Sequence, residues 1–368
     1  MSRLLLNKAS MKISFFIGEL GVGGAETVLA KIANHYAERQ WDVEIVMLLG
    51  SRIEREHFHL NERINVVDLS INGKSYLKNS FKWISSIKGY LKHRKPNVVV
   101  SFVGRINAVV LTASLGNKIP IVVSERSDPH NDGRGAFMLK YCDLIYRRAN
   151  AIVFQTSYQQ HCFSKCHSKR SYIIPNAINV PNTNNSDEED PNLSVTAGRL
   201  HPAKNHKMLI RAMAIVKKHV PEAVCRIYGD GALREVLEEL ITTEGLQGTV
   251  ILEGRKDNVS DYVRKAKIFA MSSDYEGLSN ALMEAMLMGK ICISTDYNGV
   301  DDLIDNGING IVVPKSDENA MAKAIIDALM SSDEKYQKMR QCAREKMLQC
   351  TASNIFSRWD SVIDSLLR

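Results

Sequence analysis

Two carboxylates, Glu276 and Glu284, stand eight positions apart in the run Glu276-Gly277-Leu278-Ser279-Asn280-Ala281-Leu282-Met283-Glu284. Leu282, Ala285, Met286 and Met288 follow at helical spacing and Gly289 supplies a C-terminal stop, so the run reads as the start of a helix. At a rise of about 1.5 Å per residue, the carboxylates are separated by roughly 12 Å along the axis. That is the span from sugar ring to ribose in an extended nucleotide-diphosphate sugar. Between them lie the N–H groups of a helix N-terminus, which favour a diphosphate. The segment can therefore grip hexose hydroxyls, diphosphate and ribose together. Taken alone, it also fits a surface helix with two solvated glutamates.

A second constellation is Gly198-Arg199-Leu200-His201-Pro202-Ala203-Lys204-Asn205. Arg199 and Lys204, on a strand-to-helix loop, can converge on a diphosphate and neutralise the charge that grows as it departs. In isolation such loop cations are usually solvated. A glycine-rich loop, Gly18-Glu-Leu-Gly21-Val-Gly23-Gly24-Ala25-Glu26, opens another helix and lets backbone approach a phosphate or an acceptor. Its spacing is not G-x-G-x-x-G, and Glu44 lies at the start of the second strand instead of its end, which argues against a dinucleotide. His161-Cys162 and Cys166-His167 crowd together, but no second cluster completes a metal site. Seven cysteines without framework spacing fit reduced cytosolic thiols.

The elements that must position these residues alternate along the chain. In the first half 13–17, 43–49, 98–102, 121–124 and 152–155 read as buried strands, with helical patterns at 25–39, 76–93, 105–115 and 134–149. The second half repeats the scheme with strands at 193–197, 224–228, 250–253, 268–271, 291–294 and 310–313. Such alternation argues an α/β class with parallel sheets covered on both faces. At 368 residues, two domains are expected. The boundaries are a dispensable extension 1–10, a first domain 11–180, a polar linker 181–192, a second domain 193–350 and a terminal helix 351–368 that packs back on the first domain. Ligands of such sheets bind outside the carboxyl ends of the strands, where the loops above lie.

Charge is uneven. Residues 1–190 carry 25 Lys+Arg against 17 Asp+Glu, and the remainder 23 against 24. No basic stripe is interleaved with stacking aromatics, so nucleic acid is a poor partner. An anionic membrane surface or a diphosphate-bearing acceptor fits better. The helix at 75–95 places Leu77, Phe81, Ile84, Ile87 and Leu91 on one side and Lys74, Lys78, Lys82, Lys92, Arg94 and Lys95 on its cationic side and end. Trp83 and Tyr90 are candidate interfacial aromatics; the alternative is a helix that packs its apolar face onto the sheet and leaves its lysines solvated. No apolar run reaches the roughly 20 residues of a membrane helix, and the N-terminus has no signal-peptide cleavage pattern.

Gly23-Gly24-Ala25-Glu26, Ile174-Pro175-Asn176, Gly198-Arg199-Leu200 with Lys204-Asn205, Gly229-Asp230-Gly231 and the Glu276-x7-Glu284 block occur in that order. Together they resemble the retaining glycosyltransferases of family 4, whose GT-B fold sets two Rossmann-like doubly wound domains facing across a cleft. The resemblance runs from about Met11 to the C-terminus and is closest to bacterial enzymes acting on lipid-linked glycans. It implies that Arg199 and Lys204 bind the diphosphate and that Glu276 engages the reacting sugar. Glu284 would hold the ribose, and the backbone of Leu278, Ser279 and Asn280 would face phosphate and sugar. Gly23 and Gly24 would cover the reaction centre, and Arg255, in Gly254–Val259, would lie where the base is held. Many members place a histidine after a mid-domain strand of the first domain. Here Ser124-Glu125-Arg126-Ser127-Asp128 stands instead, so Glu125 and Arg126 are the acceptor-side candidates.

The implied reaction transfers a hexose or N-acetylhexosamine from a UDP-sugar to a glycan or polyprenyl-diphosphate-linked saccharide, with retention. It would serve bacterial surface-polysaccharide or glycan synthesis on the inner face of the cytoplasmic membrane. Glu276 and Glu284 are too far apart for a glycosidase pair. Attack from the face the diphosphate leaves, with positioning and charge stabilisation, is the expected route. With no Asp-x-Asp on a suitable loop, Arg199 and Lys204 take the electrostatic role of a metal, and neither metal nor other cofactor is expected. A nucleotide-sugar epimerase of the same architecture and a non-catalytic nucleotide-sugar binding protein are the alternatives.

Overall fold

The computed structural model describes residues 11–21, 23–50, 58–71, 76–163, 170–178 and 188–368. The chain divides into two compact units, Met1–Ala177 with Ser353–Arg368, and Ile178–Ala352. The expected extension 1–10 and most of the expected linker, 181–187, lie outside the described residues.

The first unit runs β1 (Lys12–Ile17), α1 (Gly24–Glu38), β2 (Asp42–Met47), β3 (Asn65–Asp68), α2 (Tyr76–Arg94), β4 (Val98–Phe102), α3 (Gly104–Ala113), β5 (Ile121–Ser124), α4 (Gly135–Ile145), β6 (Ala151–Phe154), α5 (Ser157–His161) and β7 (Ser171–Ile173). Its strands pair in parallel in the order β3-β2-β1-β4-β5-β6-β7. Every residue of β4 and β5 is buried, as a sheet covered on both faces requires. Trp83, Ile87 and Leu91 of α2 and Val110 and Leu111 of α3 pack with Phe16, Val99 and Val123 in one core.

The second unit runs β8 (Asp190–Ala197), α6 (His206–His219), β9 (Val224–Tyr228), α7 (Arg234–Thr243), β10 (Val250–Gly254), α8 (Val259–Arg264), β11 (Ala266–Met271), α9 (Asn280–Leu287), β12 (Ile291–Thr295), β13 (Ile311–Val313), α10 (Glu318–Met330) and α11 (Asp333–Leu348). The sheet order is β10-β9-β8-β11-β12-β13, again parallel. Met208, Leu237 and Met321 of α6, α7 and α10 anchor one core; Val263, Leu282 and Met347 of α8, α9 and α11 anchor the other. Both units are Rossmann-like.

The last helix, α12 (Ala352–Leu366), belongs to the first unit apart from its first residue. It buries Ile355, Trp359, Val362 and Ile363. The Trp359 ring stacks 6.2 Å from Phe102, Phe356 stacks 4.6 Å from His35, and Asp360 pairs with His35 and Arg39.

Two strands escape the sequence pattern. β3 and β7 are four- and three-residue edge strands, half buried, and carry no long apolar run. On α2 the expected stripe holds at Ile87 and Leu91 and fails at Phe81. Phe81 is 82% exposed, whereas Trp83 is fully buried and Tyr90 nearly so. Tyr90 donates to Glu44, which also accepts from Arg94 and Asn65, so its polar end is engaged inside the unit. Neither Trp83 nor Tyr90 is an interfacial aromatic. Lys74 and the side chains of Leu77 and Lys78 lie outside the description.

Candidate functional site

In the second unit two loops at the carboxyl edge of the sheet are tied together. Pro202–Lys204 forms a 3-10 turn whose first N–H groups are capped by His201. Asn205, in the left-handed region at φ 41°, then caps α6 by accepting from the Met208 amide. From the neighbouring loop after β11, the Ser272 hydroxyl donates to the Lys204 carbonyl (2.9 Å) and the Asp274 amide to the Ala203 carbonyl (2.8 Å). Asn205 Nδ2 donates to Asp274 Oδ1 at 3.0 Å. These bonds set Lys204 Nζ 2.5 Å from Glu276 Oε1, which also accepts from the Ser273 hydroxyl at 2.7 Å. Arg199 is exposed on the same loop.

The helix expected from Glu276 onward starts later. Ser279 is the N-cap of α9, its hydroxyl accepting from the Leu282 amide, and the helix begins at Asn280. Glu276 therefore sits in the preceding loop, and a distance measured along a helix axis does not apply to it. Only Glu284 is helical. The Leu278 side chain turns into the core, leaving its backbone toward the loop. Gly198, Asn280, Ala281 and Glu284 line a cavity of about 280 Å³ whose apolar walls include Val259, Val263 and Met288. Lys204 belongs beside it, because a Cβ on Gly198 would lie 3.1 Å from Lys204 Cε. Arg255 is exposed on the β10–α8 loop; Val259 and Ser260, just beyond it, reach the cavity instead.

The roles of Gly229 and Gly231 emerge only in three dimensions. A Cβ on Gly229 (φ 140°) would fall 1.9 Å from the Gly198 carbonyl oxygen, and one on Gly231 2.5 Å from that of Leu200. These two glycines let the loop after β9 lie against the Arg199 loop, where the Leu200 amide donates to the Asp230 carbonyl at 3.0 Å. Their spacing signals a close approach but not its partner.

In the first unit Gly23 is the N-cap of α1 without a side-chain cap, and Gly24 is its first residue. A Cβ on Gly23 would lie 2.2 Å from Glu26 Oε2, so the loop is closed over its own first turn. Glu125 follows β5 and is fully buried. It accepts both arms of Arg134 (3.0 and 2.7 Å) and the Tyr146 hydroxyl. Arg134 also pairs with Asp132 and occupies the space a Cβ on Gly104 would need. With its charge matched and its oxygens committed, Glu125 shapes the 125–134 loop.

Arg126 points elsewhere. Its Nη1 donates to Asn176 Oδ1 at 3.0 Å, and Gln155, beyond the end of β6, donates to the same oxygen at 2.6 Å. The guanidinium lies 5.1 Å from the Phe102 ring centroid and 5.6 Å from that of Trp359. Burial pushes its pKa down to about 9, opposed by the charge of Glu125. Among the described residues no group of three or more His, Cys, Asp or Glu gathers as a metal site; Cys166 and His167 lie outside them.

The family described as glycosyltransferase family 4 matches residues 22–181, and that described as glycosyl transferases group 1 matches 182–346. An alpha-1,4-N-acetyl-D-galactosaminyltransferase of Campylobacter jejuni is 29% identical over 96% of this chain and 98% of its own; by name it acts on GalNAc-alpha-(1->4)-GalNAc-alpha-(1->3)-diNAcBac-PP-undecaprenol. A second C. jejuni enzyme, the N-acetylgalactosamine-N,N'-diacetylbacillosaminyl-diphospho-undecaprenol 4-alpha-N-acetylgalactosaminyltransferase, is 27% identical over 89% and 92%. Among solved structures, Anabaena HepE in complex with UDP superposes with a TM-score of 0.80 at 19% identity, over 96% of this chain and 100% of that one. Two matched halves, two Rossmann-like units and full-length relatives agree: the chain belongs to glycosyltransferase family 4 and is a hexosyltransferase of GT-B fold.

Proposed function

We propose that this transferase moves a hexose or N-acetylhexosamine from a UDP-sugar to a polyprenyl-diphosphate-linked saccharide, with retention and without a metal. The observation that carries the reading is the Lys204–Glu276 pair beside the cavity that Glu284 lines. Ribose and base fit the cavity between Glu284 and the Val259 wall. The diphosphate reaches the first turn of α9 and Lys204, with Arg199 as second cation. Glu276 then accepts from sugar hydroxyls, and Lys204 turns toward the leaving oxygen. Charge growing on that oxygen is stabilised by preorganised donors, and the oxygen takes the proton of the attacking hydroxyl. The lipid-linked acceptor is supported by the names of the Campylobacter relatives, and the uridine nucleotide by HepE with UDP.

The chain also works at a membrane surface through its first unit. No helix among the described residues is long and apolar enough to cross a membrane. Attachment therefore rests on the exposed face of α2, which holds Lys and Arg and no carboxylate.

The test incubates the purified protein with labelled nucleotide sugars, with and without undecaprenyl-diphosphate saccharides, in EDTA. Transfer that requires the acceptor, survives chelation and yields an α-linked product by NMR is expected. Isomerised donor without acceptor would establish the epimerase instead. A β-linked product from an α-linked donor would refute retention.

A further inference from the structure

Arg126 is 7% exposed, two residues past the end of β5, at the carboxyl edge of a parallel sheet where ligands of such folds bind. Its position is close to the topological switch point, because β5 adjoins β4, and β4 adjoins β1 where the strand order reverses. The guanidinium is fixed on one side only. Nη1 is spent on Asn176, while Nε and Nη2 are buried with no hydrogen-bond partner among the described residues.

Those two nitrogens form the side-on edge of the guanidinium, two parallel N–H donors spaced to match the oxygens of a carboxylate or phosphoryl group. A buried cation with no paired anion costs several kcal/mol in a folded protein. The carboxylate that acts on Arg126, Glu125, has already committed its oxygens to Arg134 and Tyr146. The Phe102 and Trp359 faces hold the ring plane in place without supplying charge. Asn176, braced by Gln155, fixes the rotation of the fork.

We propose that the Nε/Nη2 edge of Arg126 is an oxyanion-binding site of the first unit. It takes a phosphoryl or carboxylate group carried by a substrate, and the buried charge is retained because a ligand completes the pair. That a substrate carries the group rests on the transferase reading; binding of the anion does not. Two sources supply this chemistry, the diphosphate of a lipid-linked saccharide and the carboxylate of a uronic sugar.

The experiment uses this 368-residue chain carrying Arg199→Ala and Lys204→Ala, so that the proposed diphosphate site of the second unit is silent. Tryptophan emission, which Trp359 reports beside the guanidinium, is followed on titration with inorganic pyrophosphate, D-glucuronate and, as neutral control, D-glucose. A saturable change with pyrophosphate or glucuronate but not glucose is expected, and whichever anion responds names the source. Arg126→Lys, which keeps the charge but not the fork, should weaken that response roughly 10- to 100-fold. Arg126→Met should abolish it. If neither anion gives a saturable change, or Arg126→Lys binds as tightly as the parent, the proposal is wrong. Should Arg126→Met fail to fold, the lysine variant alone decides. Turnover of the unmodified chain is measured separately, so a failed Arg126 site and a failed transferase reading are distinguishable.

Discussion

Lys204 Nζ and Glu276 Oε1 lie 2.5 Å apart, with 22% and 13% of their side chains exposed. The cation assigned to the departing diphosphate is thus held by the carboxylate assigned to the sugar. Each keeps the other in place, and under the proposed function a donor separates them. The pair is preorganised by the Ser272 hydroxyl and the Asp274 amide, which donate to the Lys204 and Ala203 carbonyls, and not by the two side chains alone.

Lys204→Ala should lower kcat by a factor on the order of 100 or more, the scale for losing one donor to developing charge. Glu276→Gln should lose a comparable amount, since it no longer balances Lys204. The double variant should cost clearly less than the product of the two, because the residues are in contact. Multiplicative losses in initial-rate assays would show that the pair does not act as a unit.

Glu284 lines the cavity from the second turn of α9, where the proposed function has it hold the ribose, away from the bond that breaks. Glu284→Ala should therefore raise KM for the donor roughly 10-fold while kcat changes little, the pattern of lost uniform binding. A fall in kcat at saturating donor with KM unchanged would move Glu284 to the reaction centre.

Most of the fold was legible because both units are fully covered parallel sheets. The short, β-branched apolar runs 98–100, 121–123 and 268–271 within β4, β5 and β11 carry the signal of buried strands. The short edges β3 and β7 lacked that signal. At the site, residue types were readable but their pairings were not. Nothing in the spacing of Lys204 and Glu276 reveals that two loops are stitched together. Nor does the sequence show that Glu125 is paired with Arg134, nine residues away across a turn. α9 starts later than the period of Leu278, Leu282 and Ala285 suggests, because the Ser279 cap overrides it.

His206, the first residue of α6, is 2% exposed with Nδ1 unpartnered among the described residues. Burial, helped by the charge of Lys204, pushes its pKa down from 6.5 to about 4. The folded state thus holds a neutral ring while the unfolded chain binds a proton below 6.5. Stability is complete above that pH and falls as pH drops from 6.5 toward 4. His206→Gln should remove a loss on the order of 2–3 kcal/mol between those limits. Urea melts at pH 7 and pH 4.5 decide it: equal pH sensitivity in wild type and variant would mean the ring does not titrate as described.

The exposed face of α2 carries Phe81, Lys82, Lys88 and Lys92 at helical spacing, while Trp83, Ile87 and Leu91 face the sheet. Phe137, 84% exposed in the first turn of α4, extends the surface. Crossover helices run against the strands they join, so both phenylalanines lie toward the carboxyl edge that also carries Gly23 and Arg126. A membrane docked there would present a lipid-borne diphosphate to the edge where ligands bind. Each basic residue near an anionic surface contributes roughly 1 kcal/mol, so three make reversible attachment some 100-fold stronger. In sedimentation with vesicles of graded anionic content, binding should rise with anionic fraction and fall with salt. Lys82→Glu, Lys88→Glu and Lys92→Glu together should abolish it. Phe81→Ser with Phe137→Ser should weaken it without removing the salt dependence, and all these side chains are exposed, so melting should barely move. Wild type sedimenting no better than the triple variant would remove α2 from the membrane contact.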